Sequence, residues 1–364
     1  MLDRKYADLA ANKAIELLNV DSPSGFTEKI ADKVIDEFTK LGYVCEKSNK
    51  GNVLVKVSCP DSCPDSCPSD SRPDSCPDSC PDVILFEAHG DTLGAMVKQI
   101  KSNGRLLVSP LGGLVAANVE TENVRVYTRD NKIYEGTFQL ENASSHVNKD
   151  LRSKERSFDT VEIVLDERVN SKEDVKKLGI SVGDFVCVEP RAHITSSGYI
   201  KSRFLDDKLS VATLYAYASY LKENNIKLDK KVYFLITVYE EVGHGGSYIP
   251  SDVTEAISVD MGCVGDGLEC SETQVSICAK DSGGPYDKTI VDKLVKAAIK
   301  EGADYAIDVY PYYGSDVEVT LKAGYDVKHG LIGPGVYASH GYERSHVDGV
   351  YNTLKVLKAY LEDC

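Results

Sequence analysis

The apolar run at residues 232–238 ends two residues before an adjacent pair of acids, Glu240 and Glu241, and Gly243, Gly245 and Gly246 follow at once. A β-branched and aromatic run of that length reads as a buried strand. The glycines turn the chain sharply just beyond it. Two carboxylates at the C-terminal edge of a buried strand are unfavourable unless they hold something, and a metal ion and a proton are the natural occupants. The arrangement recurs. Residues 83–88 lead into His89-Gly90-Asp91, 199–205 into Asp206-Asp207, 256–259 into Asp260, and 336–339 into His340. Open α/β sheets place their sites at such strand ends. Two His with three or four carboxylates suffice for two divalent ions sharing one bridging Asp. Imidazole in the set favours Zn²⁺, Co²⁺ or Mn²⁺ over Ca²⁺ or Mg²⁺.

A chain of 364 residues has room for one large domain and a second, smaller one. With 57 acidic against 42 basic residues the net charge is −15, which argues against nucleic acid or an anionic membrane as the main partner. No apolar run is long enough to span a membrane. The first 18 residues are mixed in the manner of an amphipathic helix rather than a signal peptide, so the expected location is cytoplasmic. Of the 11 Cys, five (Cys59, Cys63, Cys67, Cys76, Cys80) crowd into one segment and the rest are scattered. An odd number without a secretion signal reads as reduced thiols.

In chain order, helices are predicted over 4–20 and from Thr27 to Leu41, and strands over 43–45 and 52–57. Residues 59–82 carry the tetrapeptide Asp-Ser-Cys-Pro four times, starting at 61, 65, 74 and 78. Pro in each repeat blocks helix and ladder alike, so this is expected to be an unstructured surface insertion. Residues 96–198 are rich in short alternating strands (124–127, 132–138, 161–165, 185–188), with one helix opened by Ser171 and Asp174 in the manner of a capping box. They read as a small β-barrel-like domain set into the larger one. The predicted organisation is therefore 1–95, first part of the main domain; 96–198, the β-rich insertion; and 199–364, second part. After Asp206 the α/β rhythm resumes, with helices over 208–223, 288–301 and 350–361. That rhythm implies a mixed, largely parallel sheet flanked by helices.

His89-x-Asp91, Asp206-Asp207, Glu240-Glu241-x-Gly243, Asp260 and a late His resemble, in order, metallopeptidase family forty-two. Its members are dinuclear-metal glutamyl- or leucyl-type aminopeptidases, including the tetrahedral self-compartmentalising enzymes; some carry the name endoglucanase. The resemblance covers nearly the whole chain apart from the Cys-Pro repeats. It implies a zinc-exopeptidase-like fold, with 96–198 as a dimerisation domain and a dodecamer built from dimers. It makes Asp206 the ligand shared by two metals, with His89 and Asp260 completing one site and Glu241 and His340 the other. Glu240 becomes the catalytic acid/base, and Asp91 the residue that orients His89. Gly314-Ser315-Asp316 resembles the family's Gly-Thr-Asp and implies a substrate-binding segment. Two departures stand out: Thr92 follows Asp91 where the family has Glu, and His346 lies close enough to His340 to compete as the last ligand.

The implied function is removal of N-terminal residues from short peptides, through a water bridging two divalent metals with Glu240 as general base and then acid. A carboxypeptidase or deacylase on the same metals is the alternative. A glycosidase using Glu240 and Glu241 is disfavoured, because neighbours on one strand point to opposite faces. Lys280 or Arg344 would favour an acidic substrate side chain if either reached the site, but a Lys or Arg near a site is more often a surface charge, and the sequence does not choose between acidic and neutral residues.

Overall fold

The computed structural model describes residues 2–60 and 82–362. The Asp-Ser-Cys-Pro repeats, and the expectation that they are unstructured, fall outside those residues. The chain opens with α1 (Lys5–Leu18) and α2 (Glu28–Lys40). Each buries apolar residues at helical spacing: Ala7, Ala10, Ala14 and Leu17 in α1, and Ile30, Val34 and Phe38 in α2. Strands β1 (Val44–Lys47), β2 (Val53–Ser58) and β3 (Val83–His89) follow.

The chain then leaves the main sheet for a barrel. Strands β4 (Gly94–Ile100) and β5 (Leu106–Leu111) lead to a single helical turn, α3 (Ala116–Val119). Strands β6 (Asn123–Tyr127), β7 (Ile133–Leu140) and β8 (Val161–Leu165), helix α4 (Lys172–Leu178) and strand β9 (Phe185–Val188) complete it. The barrel closes in the order β4-β5-β8-β7-β6-β9. Alternate residues, such as Val124, Val126, Phe138, Leu140, Val186 and Val188, fill its interior. α4 starts where predicted: the Ser171 hydroxyl accepts the Asp174 N–H at 3.1 Å, and Gly179 ends the helix in the left-handed conformation.

Strands β10 (His193–Ile194) and β11 (Tyr199–Ser202) return to the main sheet and lead into α5 (Leu205–Glu223). The barrel thus runs from Gly94 to Val188, shorter than the insertion drawn from sequence at 96–198. Its first two strands lack a clean sequence alternation, because the register of β4 shifts between Val97 and Gln99 and Pro110 sits within β5. The remainder is β12 (Lys231–Thr237), β13 (Glu255–Val259), β14 (Gly262–Val264), β15 (Val275–Lys280), α6 (Lys288–Glu301), β16 (Tyr305–Val309), α7 (Asp316–Lys322), β17 (Lys328–Tyr337), β18 (Glu343–His346) and α8 (Val347–Glu362).

The main sheet runs β1-β2-β12-β3-β13-β17-β18-β11-β10, with β14, β15 and β16 joined through β17. Its centre, β12-β3-β13-β17, is parallel. β3 is buried along its whole length. Ile84 and Phe86 face the core shared with α1, α2, α5 and α8, while Val83 and Leu85 face a second core that includes Val317 of α7. Parallel strands deliver their C-terminal ends to one edge. β11, antiparallel to β18, which is itself antiparallel to β17, ends at that edge too. His89, Asp206, Glu240, Asp260 and His340 therefore converge although 251 positions separate the first from the last. No helix among the described residues is long and apolar enough to cross a membrane.

Candidate metal centre and substrate cleft

His89, the last residue of β3, points its Nε2 at Asp206 Oδ1, 3.0 Å away, and lies 3.7 Å from Glu240 Oε2. Its Nδ1 is 3.0 Å from the Asp91 carbonyl oxygen. A carbonyl only accepts, so Nδ1 donates and Nε2 is turned to the carboxylates. His340 Nε2 lies 3.5 Å from Asp206 Oδ2 and 3.7 Å from Glu241 Oε2. Each oxygen of Asp206 thus faces a different imidazole. Two groups of side chains bring ligand atoms within 4.8 Å of one another: His89, Asp206 and Glu241; and His89, Asp207 and Asp260. Asp207, joined to Asp206 by a cis peptide bond, also accepts the His89 backbone N–H at 3.1 Å.

Glu240 and Glu241 lie in a single 3-10 turn, Glu240–Val242, beyond β12 rather than on it. The disposition of neighbours along a strand therefore does not apply to them. The buried Asp91 carboxylate fastens this turn: it accepts the N–H of Glu240 at 3.1 Å and of Glu241 at 3.4 Å, and takes a hydroxyl hydrogen bond from Ser24. Its own contact with the His89 ring is longer, 3.6 Å, so the orientation of His89 runs mainly through the Asp91 carbonyl. His346 is elsewhere. Its Nε2 lies 2.8 Å from the Ser197 carbonyl and its Nδ1 accepts the Asp348 N–H. Gly314 and Ser315 line the cleft. Asp316 is buried behind them, accepting the Gly246 N–H at 2.7 Å and the Thr237 hydroxyl. His244 stacks on Tyr239 with centroids 4.8 Å apart.

Burial and neighbouring carboxylates push most of these acids upward. Burial and Asp206 raise Asp260 to about 7. Burial, with Asp260 beside Glu240 and Asp206 beside Glu241, lifts both Glu residues well above the usual carboxylate range. Asp206 is the exception: burial opposes its ionisation, but its hydrogen bonds to His340 and His89 hold it well below that range. Conversely, the Asp206 hydrogen bond raises His340 to about 10. Burial would lower His89, yet Asp206, Glu240 and Asp260 together raise it well above the imidazole range.

Several contributors carried no sequence signal. The buried Glu343 accepts the backbone N–H of Asp206 at 3.1 Å and of His340 at 2.9 Å, tying two distant segments together. Asn118, on the barrel's α3, donates to the His340 carbonyl at 3.1 Å. Gly113, in the loop before α3, leaves room for the His340 ring, which any Cβ there would strike. Only Glu343 lies near its partner in sequence, three residues after His340.

The donor set fits a divalent cation. Glu241 Oε1 and Asp207 Oδ1 are buried without a hydrogen-bond partner among the described residues. Such atoms are rare unless something else satisfies them, and mixed imidazole and carboxylate donors suit a borderline metal ion. The M42 glutamyl aminopeptidase family matches residues 78–356. YhfE of Bacillus subtilis (strain 168), named as a candidate aminopeptidase, is 40% identical over 348 residues, 95% of each chain. The Pyrococcus horikoshii TET1 peptidase, which can assemble into a tetrahedron or a large octahedral shell, superposes with a TM-score of 0.81 at 21% identity, over 98% of this chain and 100% of that one. The dodecamer PhTET1-12s gives 0.79 at 22%, over 97% and 99%. This chain belongs to the M42 aminopeptidase family and is a peptide hydrolase.

Two predictions follow from this geometry. Both Asp260, raised to about 7 from 3.8, and His340, raised to about 10 from 6.5, favour protonation in the folded state. Their stabilisation of metal-free protein is full below the lower value of each pair and is lost as pH rises through the higher one. The melting temperature of chelator-treated protein should therefore fall between about pH 6 and about pH 9, and added Zn²⁺ or Co²⁺ should raise it most at the upper end, where fewer protons compete. Scanning fluorimetry reads this; a flat metal-free profile contradicts it. Glu343→Ala, which frees the backbones of Asp206 and His340, should weaken metal binding about 10- to 100-fold in a chelator competition titration.

Proposed function

We propose that this aminopeptidase holds two divalent ions, Zn²⁺ or Co²⁺ with Mn²⁺ as a third option, on His89, Asp206, Glu241, Asp260 and His340, and acts on short peptides in the cytoplasm. The observation that carries this is the division of labour within the 3-10 turn. Both acids line the cleft, but Glu241 joins a ligand group with His89 and Asp206 and lies 3.7 Å from His340, whose Nε2 is 3.5 Å from Asp206, whereas Glu240 joins no such group and approaches only His89. What a divalent ion contributes when bound is Lewis acidity, which acidifies water and polarises a carbonyl. Glu240 takes the proton from the attacking water and passes it to the leaving amine. Burial raises its pKa, which helps it hold the proton until the amine leaves. Asp91 holds the two N–H groups of the turn and so fixes where Glu240 can reach. The acids around the cleft also favour a free α-ammonium group on the substrate, which restricts cleavage to the first residue.

Glu240→Gln keeps the size of the side chain and removes the base. It should lower kcat about 10²- to 10⁴-fold on aminoacyl-p-nitroanilides while metal content stays unchanged. Wild type should cleave the free-amine substrates and leave their N-acetyl counterparts intact. Cleavage of the acetylated series would favour the deacylase alternative, and activity that survives exhaustive chelation would remove the metal from the mechanism.

Assembly is proposed through the barrel, as a dimer and then a tetrahedral dodecamer. The TET1 assemblies support this. So do Ile133, Val147 and Val182, apolar residues of the barrel region left exposed on this chain. Light scattering on metal-loaded protein at micromolar concentration should give a mass well above the 39.8 kDa of one chain. A monomer contradicts it.

A further inference from the structure

The cleft has a volume of about 750 Å³ and extends well past the metal ligands. The Tyr313 hydroxyl donates to the Met261 carbonyl, next to Asp260, at 3.3 Å. From there the chain passes through Gly314 and Ser315 straight into α7. On the first turn of that helix, Glu318 faces the cleft and is 7% exposed. Beyond the metal centre, Glu318 and Lys322 are the charged side chains lining this end.

These two charges are unequal. The Lys322 side chain is 73% exposed and its ammonium is 3.8 Å from Glu318 Oε2, a screened surface contact. Glu318 is buried beside a second acid, Asp281, whose carboxylate is held by the Gly283 N–H at 2.9 Å and the Tyr286 hydroxyl at 2.6 Å. Burial, then the charge of Asp281, raises Glu318 above the usual carboxylate range. An anion in that position is relieved by a cation. The acid is also built in: a Cβ at Gly283 would occupy the place of the Glu318 carboxylate. The cations that would favour an acidic substrate are engaged elsewhere. Lys280 donates to the Asp281 carbonyl at 2.8 Å, Arg344 pairs with Glu272 at 2.9 Å, and neither lines the cleft. Tyr312, 96% exposed at the cleft, offers an open aromatic face for a long alkyl stem or its cationic head.

We propose that this end of the cleft receives the side chain of the substrate's N-terminal residue and selects a basic one, lysine or arginine, with Glu318 as the recognising anion and Asp281 as its support. The inference rests on the aminopeptidase reading of the metal centre. An acidic side chain meets like charge here. An aliphatic one leaves a buried carboxylate facing only Asp281 and the distant, exposed Lys322, which is the costlier kind of mismatch.

The test uses metal-loaded wild type, Glu318→Gln and Glu318→Asp with lysyl-, arginyl-, leucyl- and glutamyl-p-nitroanilide. Wild type should favour the two basic substrates over the other two in kcat/KM by about tenfold or more. Glu318→Gln should cut the Lys:Leu ratio by a similar factor, and Glu318→Asp should keep its direction. A preference for the glutamyl substrate, or a Lys:Leu ratio unmoved by Glu318→Gln, overturns the proposal. Calorimetric binding of lysinamide and leucinamide separates the two levels, because it needs no turnover. If no p-nitroanilide is cleaved, the aminopeptidase reading of the site fails. Tighter binding of lysinamide, lost in Glu318→Gln, would still support the specificity, and equal binding of the two amides would overturn it.

Discussion

Carboxylates crowded out of reach of water set the terms for the rest of this protein. Asp206, Asp207, Asp260 and Glu343 are buried, and Glu241 keeps only 3% of its side chain exposed. They surround two imidazoles at one edge of the sheet. Such a group is stable only if protons or metal ions share its charge. Metal-free, the protons fall mainly on the imidazoles and on the outer acids, leaving Asp206 ionised at the centre. The backbone is arranged to hold this crowd. Asp91 grips the turn that carries Glu240 and Glu241, and Glu343 grips the segments that carry Asp206 and His340. These two acids hold the others in register by accepting backbone N–H groups.

The barrel takes part in the same centre. Its loop before α3 brings Gly113 against the His340 ring and Gly112 close to the Glu241 backbone. Asn118 holds the His340 carbonyl. The buried Arg203 links the carbonyls of Asn118 and Gly341 and pairs with Glu122. Phe204, Ala338 and His340 take left-handed backbone conformations on either side of this junction. Non-glycine residues tolerate that only where surrounding contacts hold them. The cleft wall is thus made by two modules, so a change in how the barrel is seated would be felt at His340.

Much of this was legible along the chain. Residues 232–238 and 83–88 are near-continuous apolar runs, broken only by Thr237 and Glu87, as strands buried on both faces require, and they form the parallel centre. The helix over 288–301 is found with the predicted bounds, because Asp287 caps one end and Gly302 the other. The closed barrel was legible as a class from its short alternating strands, but β4 and β5 were not, and neither was the return of β10 to the main sheet. A two-residue strand has no period to detect, and the closure of β4 on β9 joins segments about ninety residues apart. The choice between His340 and His346 was open for the same reason. Both end short polar segments, and only the turn after β17 brings the His340 ring to Asp206.

What the sequence determined by itself is the chemistry available: which acids and imidazoles stand at strand ends, and that parallel strands would carry them to a common edge. That follows from local periodicity and from the direction of the chain. The tertiary structure alone decided which atoms face one another. It divided Glu240 from Glu241 in a 3-10 turn, turned Asp316 away from the cleft, recruited Glu343 and Asn118, and set Glu318 beside Asp281 over a glycine. Those outcomes depend on distances of a few ångströms between segments far apart in the chain, and no spacing within one segment encodes them.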